Sequence, residues 1–316
     1  MTSSGTVGEI TVAVIGDAVA DLMAVGVTEL PAWGEDRRVE TIELLLGGSG
    51  LHTSVNLATL GLPTVFHAGI GADRFGRFLL EGLTSTPVNT QGMRVLPEAP
   101  TAVTIVLSGS TDRAFVSLYG ATAAFRRADL DEAALRRAGH IHVSGFWQSD
   151  ALRPELASLL HELRRGGATV SLDTGYDPTG LWSDHIADVL AEVDLFLPNE
   201  TEATNIARAE TVEAALAALA ARVPLVAVKL GPLGAIARRG DEVWTRPAVA
   251  VPVVDTTGAG DAFNAGFLRR WLTGASIPAA LELGTALGAL AVARPGASEN
   301  APDLAAAERF IEESGA

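Results

Sequence analysis

From residue 129 to residue 229 the chain alternates helical stretches with short apolar runs, and this alternation constrains its fold more than any other feature. The spacing predicts a helix over 129–138, a strand over 140–143, a helix over 153–165 and a strand over 168–172. A helix over 183–191 then precedes a strand over 194–197, and a helix over 211–222 precedes a strand over 225–229. Further strands flank Gly240 and Asp241. Strands fed by helices in this order build a parallel, doubly wound sheet between helices. The unbroken run Thr11 to Ile15 reads as a strand of that sheet, buried on both faces. Pro63 to Ile70 reads as another. We expect a single α/β domain over 1–316.

Ligands of open α/β sheets sit beyond the carboxyl ends of the strands. The first strand ends at Gly16, followed by Asp17 and Asp21. A dinucleotide-binding fold would show Gly-x-Gly-x-x-Gly there to receive phosphate. Acids stand there instead, and a carboxylate accepts two hydrogen bonds from neighbouring hydroxyls, which suits a polyol. Asp17 reads equally well as a loop acid or cap.

The second informative stretch is Asp255-Thr256-Thr257-Gly258-Ala259-Gly260-Asp261-Ala262-Phe263. Val249 to Val254, interrupted by Pro252, reads as a strand before it, and Ala262 to Leu272 as a helix after it. A glycine-rich turn into a helix start leaves several N–H groups unpaired at the positive end of the helix dipole, which makes an anion site. The pattern assigns Asp261 to accept a proton from an alcohol while the Gly258, Ala259 and Gly260 amides hold a phosphoryl group. The plainer alternative is a tight turn with an acidic cap. The helix start is expected to hold the pKa of Asp261 below the ordinary carboxylate range, which a loose phosphoryl-transfer transition state tolerates.

These stretches resemble the signature of the ribokinase-like (PfkB) family of carbohydrate kinases. Gly-Gly stands at 47–48, Gly-x-Asp-x-x-Gly at 71–76, Asn-Glu-x-Glu at 199–202, Gly-x-x-Gly at 231–234 and the signature at 255–261, in family order across most of the chain. The resemblance implies ATP-dependent transfer of the γ-phosphoryl group to a hydroxymethyl group of a sugar or sugar derivative. It implies that Asp21, Gly47 and Gly48 hold the sugar, with Asp17 beside them. His52 stands where an Asn often follows the Gly-Gly, leaving it a ligand to the acceptor or a packed helix residue. Asn199 and Glu202 match the residues that order magnesium and its waters. The same two residues also read as an acidic helix start. Lys229 stands where many members carry Thr, and reads as a phosphate partner or as a surface charge. Gly231 and Gly234 match the turn that admits the nucleotide, and the 71–76 segment shapes the fold. The loop Ala291 to Ala297 matches one that holds a monovalent cation, potassium, through its carbonyls with Asp255 and Thr257. Ala291, Gly296 and, loosely, Asn300 are its matching positions.

Residues 22–46, with the alternating runs Thr101 to Leu107 and Ala114 to Tyr119 joined by 108–113, make a small antiparallel sheet. The resemblance makes it a lid, over about 22–46 and 98–120, which also pairs two chains into a homodimer.

Composition narrows the partners. A formal net charge of −15 argues against nucleic acid and anionic membrane, and requires any phosphate site to be made positive locally. The chain has no cysteine, and Met1 to Glu9 lack the basic start of a signal peptide, so a cytoplasmic location is expected. The Ala-rich run 279–293 carries Glu282 and reads as a packed helix. His140 and His142 share a strand face, but no third ligand is evident, so they read as structural. A nucleoside kinase would share every motif, a non-catalytic sugar-binding protein most of them, and the missing glycine fingerprint disfavours a nicotinamide enzyme.

Overall fold

Val12–Ile15 (β1) sends Val12 and Val14 to one face of the central sheet and Ala13 and Ile15 to the other, all buried. The structure, a computed structural model, describes residues 10–109, 113–294, 296, 298 and 300–314. After β1 come β2 (Val19–Val25), β3 (Thr41–Gly47), α1 (Ser49–Thr59), β4 (Thr64–His67), β5 (Gly69–Gly71) and α2 (Arg74–Leu83). β6 (Arg94–Leu96), β7 (Ala102–Ser108), β8 (Arg113–Leu118), α3 (Gly120–Ala124) and α4 (Glu132–Arg137) follow. The alternating region holds β9 (His140–Val143), α5 (Arg153–Arg165), β10 (Thr169–Leu172), α6 (Ile186–Leu190), β11 (Leu195–Phe196), α7 (Glu200–Ala207), α8 (Val212–Ala220) and β12 (Leu225–Lys229). β13 (Ala235–Arg239), β14 (Glu242–Arg246), α9 (Ala259–Leu272), α10 (Ile277–Val292) and α11 (Leu304–Ser314) complete the order.

The central sheet runs β14-β13-β12-β11-β10-β9-β1-β4; it is parallel from β12 to β4 and antiparallel at the β13–β14 edge. One core packs α1, α9 and α10 against it, and a second core packs α5 and α8 on the opposite face. β1 pairs with β4 on one side and β9 on the other, so the crevice beyond its carboxyl end is a topological switch point.

A second sheet, β3-β2-β7-β8, stands beside that crevice. Its register puts Asp21, Met23, Leu45, Val106, Arg113 and Phe115 on one face, and Leu22, Ile42, Leu44, Ile105, Val116 and Leu118 on the other.

Several expectations need correction. Val249 to Val254 form no strand. Pro252 cannot donate to a ladder, Val253 and Val254 are exposed, and the Val254 and Asp255 amides instead donate to Val292 O at the end of α10. The final strand before the signature is β14. Helix α9 begins at Ala259, three residues earlier than expected, because Gly258 adopts the left-handed conformation (φ 69°) and starts the turn. Pro63 to Ile70 divides into β4 and β5, which belong to different sheets. The helix expected over 183–191 is only Ile186–Leu190, with His185 left-handed before it. His140 and His142 are buried, and both ring systems hydrogen-bond Ser171 Oγ at 2.7 Å, a packing role. The readings made on Met1 to Glu9, on 110–112 of the hairpin turn, and on Pro295 and Ala297 lie outside the described residues. Among the described residues no helix is long and apolar enough to cross a membrane.

Candidate active site

The carboxyl ends of five adjacent strands carry the site. Asp17 lies just beyond β1, Ser144 beyond β9, Asp173 beyond β10 and Asn199 beyond β11, while Lys229 ends β12. Asn199 and Lys229 are bridged side by side, with the Lys229 amide donating to Pro198 O at 2.9 Å. Over this row sits the first turn of α9. Its helical ladder starts with the Ala262 amide donating to Gly258 O, so the amides of Gly260 and Asp261 precede any i−4 acceptor and face the crevice end of the helix.

Asp261 is buried in that turn and accepts a hydrogen bond from Ser49 Oγ at 2.5 Å. Ser49 Oγ in turn lies 2.7 Å from Ser144 Oγ. Beneath Gly260, Lys229 Nζ donates to Asp173 Oδ2 at 2.6 Å and to Asn264 Oδ1 at 3.2 Å, and Asn264 Nδ2 also donates to Asp173 Oδ2. Lys229 is therefore a buried, paired cation rather than a surface charge.

Charge in this cluster is unevenly shared. Burial works against ionisation of Asp173, but Lys229 and the hydrogen bonds to its carboxylate win and hold it below the usual range. The neighbours lose by comparison. Burial, then the Asp173 charge, pushes Asp261 well above the usual carboxylate range, against the pull of Ser49 and Lys229. The expected lowering by the helix start does not prevail, because desolvation outweighs it. Burial and Asp173 likewise push Glu202 up to about 7, opposed by Lys229 and the Asn199 amide.

Asn199 and Glu202 form a reciprocal capping box on α7, Glu202 accepting from the Asn199 amide at 2.9 Å and from Asn199 Nδ2 at 2.7 Å. They thus combine the helix-start role with a place next to Lys229. Gly231 (φ 56°) opens onto empty space, whereas a side chain on Gly234 would strike Arg246 O.

At the start of α1, Asp17 Oδ1 accepts from the Gly50 amide at 2.8 Å and Oδ2 from the Ser49 amide at 3.1 Å, capping the helix, whose own N-cap, Gly48, has no side chain to do so. Gly48 (φ 101°) also passes so close to Asp17 O that a Cβ would overlap it. Asp21 stands over Gly47 and makes no hydrogen bond among the described residues; burial, then Asp17 and Asp255, push its carboxyl up to about 7. His52 is buried, with neither ring nitrogen partnered among the described residues. Asp21, His52, Asp255, Thr257 and Gly296 line one small pocket.

Asp255 accepts from the Thr257 amide (2.9 Å) and hydroxyl (2.8 Å), and Arg113 of β8 reaches it at 3.1 Å while bonding the hydroxyls of Thr256 and Thr257. The Ala291 carbonyl accepts from the Arg294 amide at 3.4 Å, and Asn300 is exposed.

Sequence reading missed Asp173, Asn264, Ser49, Ser144 and Arg113. Asp173 and Ser144 were findable, since each immediately follows a strand at its carboxyl end; Arg113 had no local signal.

Known proteins place the arrangement. Residues 9–304 match the pfkB family carbohydrate kinases. An ATP-dependent ribose-1-phosphate kinase of Halopiger xanaduensis is 31% identical over 269 residues, 84% of this chain and 86% of that one. Arabidopsis thaliana ribokinase, solved with ribose and ATP, superposes with a TM-score of 0.84 at 27% identity, covering 96% of this chain and 99% of its own. An E. coli structure solved with ATP and magnesium gives 0.86 at 26% identity, covering 96% and 99%. With the fold, the signature turn and these matches in agreement, the chain belongs to the pfkB family of carbohydrate kinases and is an ATP-dependent enzyme of that family.

Proposed function

We propose that the chain transfers the γ-phosphoryl group of ATP to a hydroxymethyl group of a sugar or close relative, with Asp261 as the base. The observation that carries this is the placement of Asp261. It is a buried carboxylate of weakened acidity in the same helical turn as amides that have no intrahelical acceptor. Weakened acidity makes it a better proton acceptor near working pH. The turn starting at Gly258 supplies donors in the Gly260 and Asp261 amides, whereas the Ala259 amide, expected to share that role, already donates to Thr256 O at 3.4 Å; such preset donors need no reorganisation as charge develops. Ser49 holds the carboxylate until the acceptor hydroxyl replaces or joins it. Asp21, Gly47, Gly48 and His52 hold the acceptor, and Asp17 fixes α1 beneath them.

A magnesium ion arriving with ATP supplies charge neutralisation at the phosphate oxygens. The residues fit it in charge, because three carboxylates, Asp173, Glu202 and Asp261, act on the single Lys229 cation and leave negative charge uncompensated. Asn199 and Glu202 would hold the ion through its waters. Lys229, buried below Gly260, faces the nucleotide side, and Gly231 leaves it open. For potassium the donors fit less well: Arg113 already compensates Asp255, and the Ala291 carbonyl is engaged by Arg294. We assign that compensation to Arg113.

The small sheet, with its acceptor-facing side over the crevice, serves as the lid. Its opposite side, bearing exposed Ile42, Leu44, Ile105, Val116 and Leu118, pairs two chains. The relatives' names give both a free sugar and a sugar phosphate as acceptors. Coupled ADP release over pentoses, hexoses, keto-sugar acids, sugar phosphates and nucleosides tests the reading. Acceptor-dependent ADP supports it, and its absence over the whole panel sinks it.

A further inference from the structure

A cavity of about 280 Å³ lies outside the catalytic cluster, between β3, α1, the end of α2 and the chain beyond α10 at Ser298 and Ala301. That volume is close to the lower end of small-molecule sites, roughly 300–1,000 Å³. Leu46, Val55, Phe78 and Pro87 make its apolar walls. Gly82 brings α2 directly over Leu46, since a Cβ there would stand 2.7 Å from Leu46 Cδ2. No carboxylate, lysine or arginine is among the described residues that line it. A charged ligand would lose its hydration there and gain no partner, so the occupant is uncharged.

The hydroxyls of the cavity define what the occupant must carry. Ser85 Oγ donates to Gly82 O and Thr86 Oγ1 to Leu83 O, each at 2.8 Å, so both have only acceptor capacity left for a ligand. Ser298 lines the cavity at 4% exposure, and its hydroxyl has no partner among the described residues. A buried hydroxyl left unpaired costs free energy, so it marks the place of a ligand's polar atom. A ligand hydroxyl, which both donates and accepts, answers Thr86 and Ser298 together. A ketone or ether lacks the donor, and a hydrocarbon leaves Ser298 unpaired.

We propose that this cavity is a second small-molecule site, separate from the catalytic cluster, for an uncharged alcohol or phenol with a compact apolar body. Its occupant also acts on acceptor binding, and that part rests on the kinase reading above. Leu46 lines both this cavity and the small pocket of Asp21 and His52, so one side chain separates the two. Ser298 stands two residues beyond Gly296, which lines that pocket as well. The cavity gives Leu46 space to yield as an acceptor enters. An occupant fills that space and fixes Leu46, because packed interiors transmit displacement. Occupancy therefore weakens acceptor binding, and by linkage the acceptor weakens the occupant by the same factor. Asp261, Lys229 and Asn199 do not line the cavity, so kcat and the KM for ATP stay level.

The test applies three matched probes to the whole protein: p-cresol, toluene without the hydroxyl, and p-toluate with a carboxylate in its place. Calorimetric titration should show p-cresol binding, toluene about threefold or more weaker, the worth of one net hydrogen bond, and p-toluate not at all. Ser298→Ala should bring p-cresol down to the toluene value. Thr59→Phe, which fills the cavity from α1, should remove both while ADP release stays at the wild-type rate. With an acceptor that gives ADP release, saturating p-cresol should raise its KM about fivefold or more and leave kcat and the KM for ATP level. No binding of p-cresol, equal binding of toluene, binding of p-toluate, or p-cresol binding that survives Thr59→Phe overturns the site. An unchanged acceptor KM with p-cresol bound overturns the coupling and leaves the site standing. No ADP from any acceptor sinks the kinase reading and the coupling together, while the titrations, which need no turnover, decide the site.

Discussion

Lys229 Nζ lies 2.6 Å from Asp173 Oδ2, a buried ion pair at the centre of the site's charge cluster. Asp173 keeps its negative charge because Lys229 is there, and burial first, then that charge, raises the proton affinity of Asp261 and Glu202. Removing one member of a buried pair leaves the other uncompensated, at a cost of about 3–5 kcal/mol. Asp173→Asn should therefore lower unfolding free energy by that order in urea titrations. It should also lower the pKa of Asp261, since a negative neighbour is lost and Lys229 becomes available. The acid limb of the kcat–pH profile then moves to lower pH. A limb that stays in place would remove Asp173 from the tuning of the base.

Asp261→Asn should leave ATP binding nearly intact, as read by nucleotide titration. Loss of a positioned base costs roughly 10²–10⁴ in rate, and kcat should fall by that factor. A variant retaining more than about a tenth of wild-type kcat would show that another group takes the proton.

Asp21 predicts a trade between stability and binding. Its folded-state pKa, about 7, lies above the ordinary carboxylate value of 3.8, so the folded protein holds this proton more tightly than the unfolded chain. The stabilisation is complete below about pH 4 and is lost as pH rises through about 7. Asp21→Asn should match wild type at pH 4 and be the more stable of the two at pH 8 without acceptor. The same variant should raise the acceptor KM, since hydrogen bonds to a charged group are worth roughly 1.5–3 kcal/mol. Wild-type acceptor KM should fall as pH rises through 7, and the variant's should stay level. Equal KM values at pH 8 would take Asp21 out of the acceptor site.

Arg113 ties the small sheet to the signature turn through Asp255, Thr256 and Thr257. Arg113→Ala should lower kcat and leave Asp255 uncompensated. Wild type should run at similar rates in potassium and in a bulky organic cation at equal ionic strength, while the variant gains a preference for potassium. A wild type strongly accelerated by potassium would return charge compensation at Asp255 to a bound cation.

The outer face of the small sheet carries Ile42, Leu44, Ile105, Val116 and Leu118 in adjacent register, and among the described residues its edge strands β3 and β8 pair no further strand. Contiguous apolar patches and free edges mark association surfaces. Light scattering at working concentration should give a dimeric mass, and Ile105→Lys with Val116→Lys should give a monomer. A monomeric wild type would contradict the pairing.

The sequence alone determined the parallel sheet, the acids beyond its first strand and the glycine turn into a helix start at 258–261. Each is encoded within a few residues, as a hydrophobic period or as glycine turn chemistry. Its errors were also local: Pro252 broke the strand expected before the signature, and a left-handed Gly258 moved the helix start. What only the tertiary structure decided was electrostatic. Ser49 reaches Asp261 across 212 residues of sequence, and Asn264 reaches Asp173 across 91. The helix start by itself argues for a strongly acidic Asp261, and burial beside Asp173 reverses the sign. That reversal depends on solvent exclusion and on charges brought in from distant strand ends, and no local pattern of residues carries either.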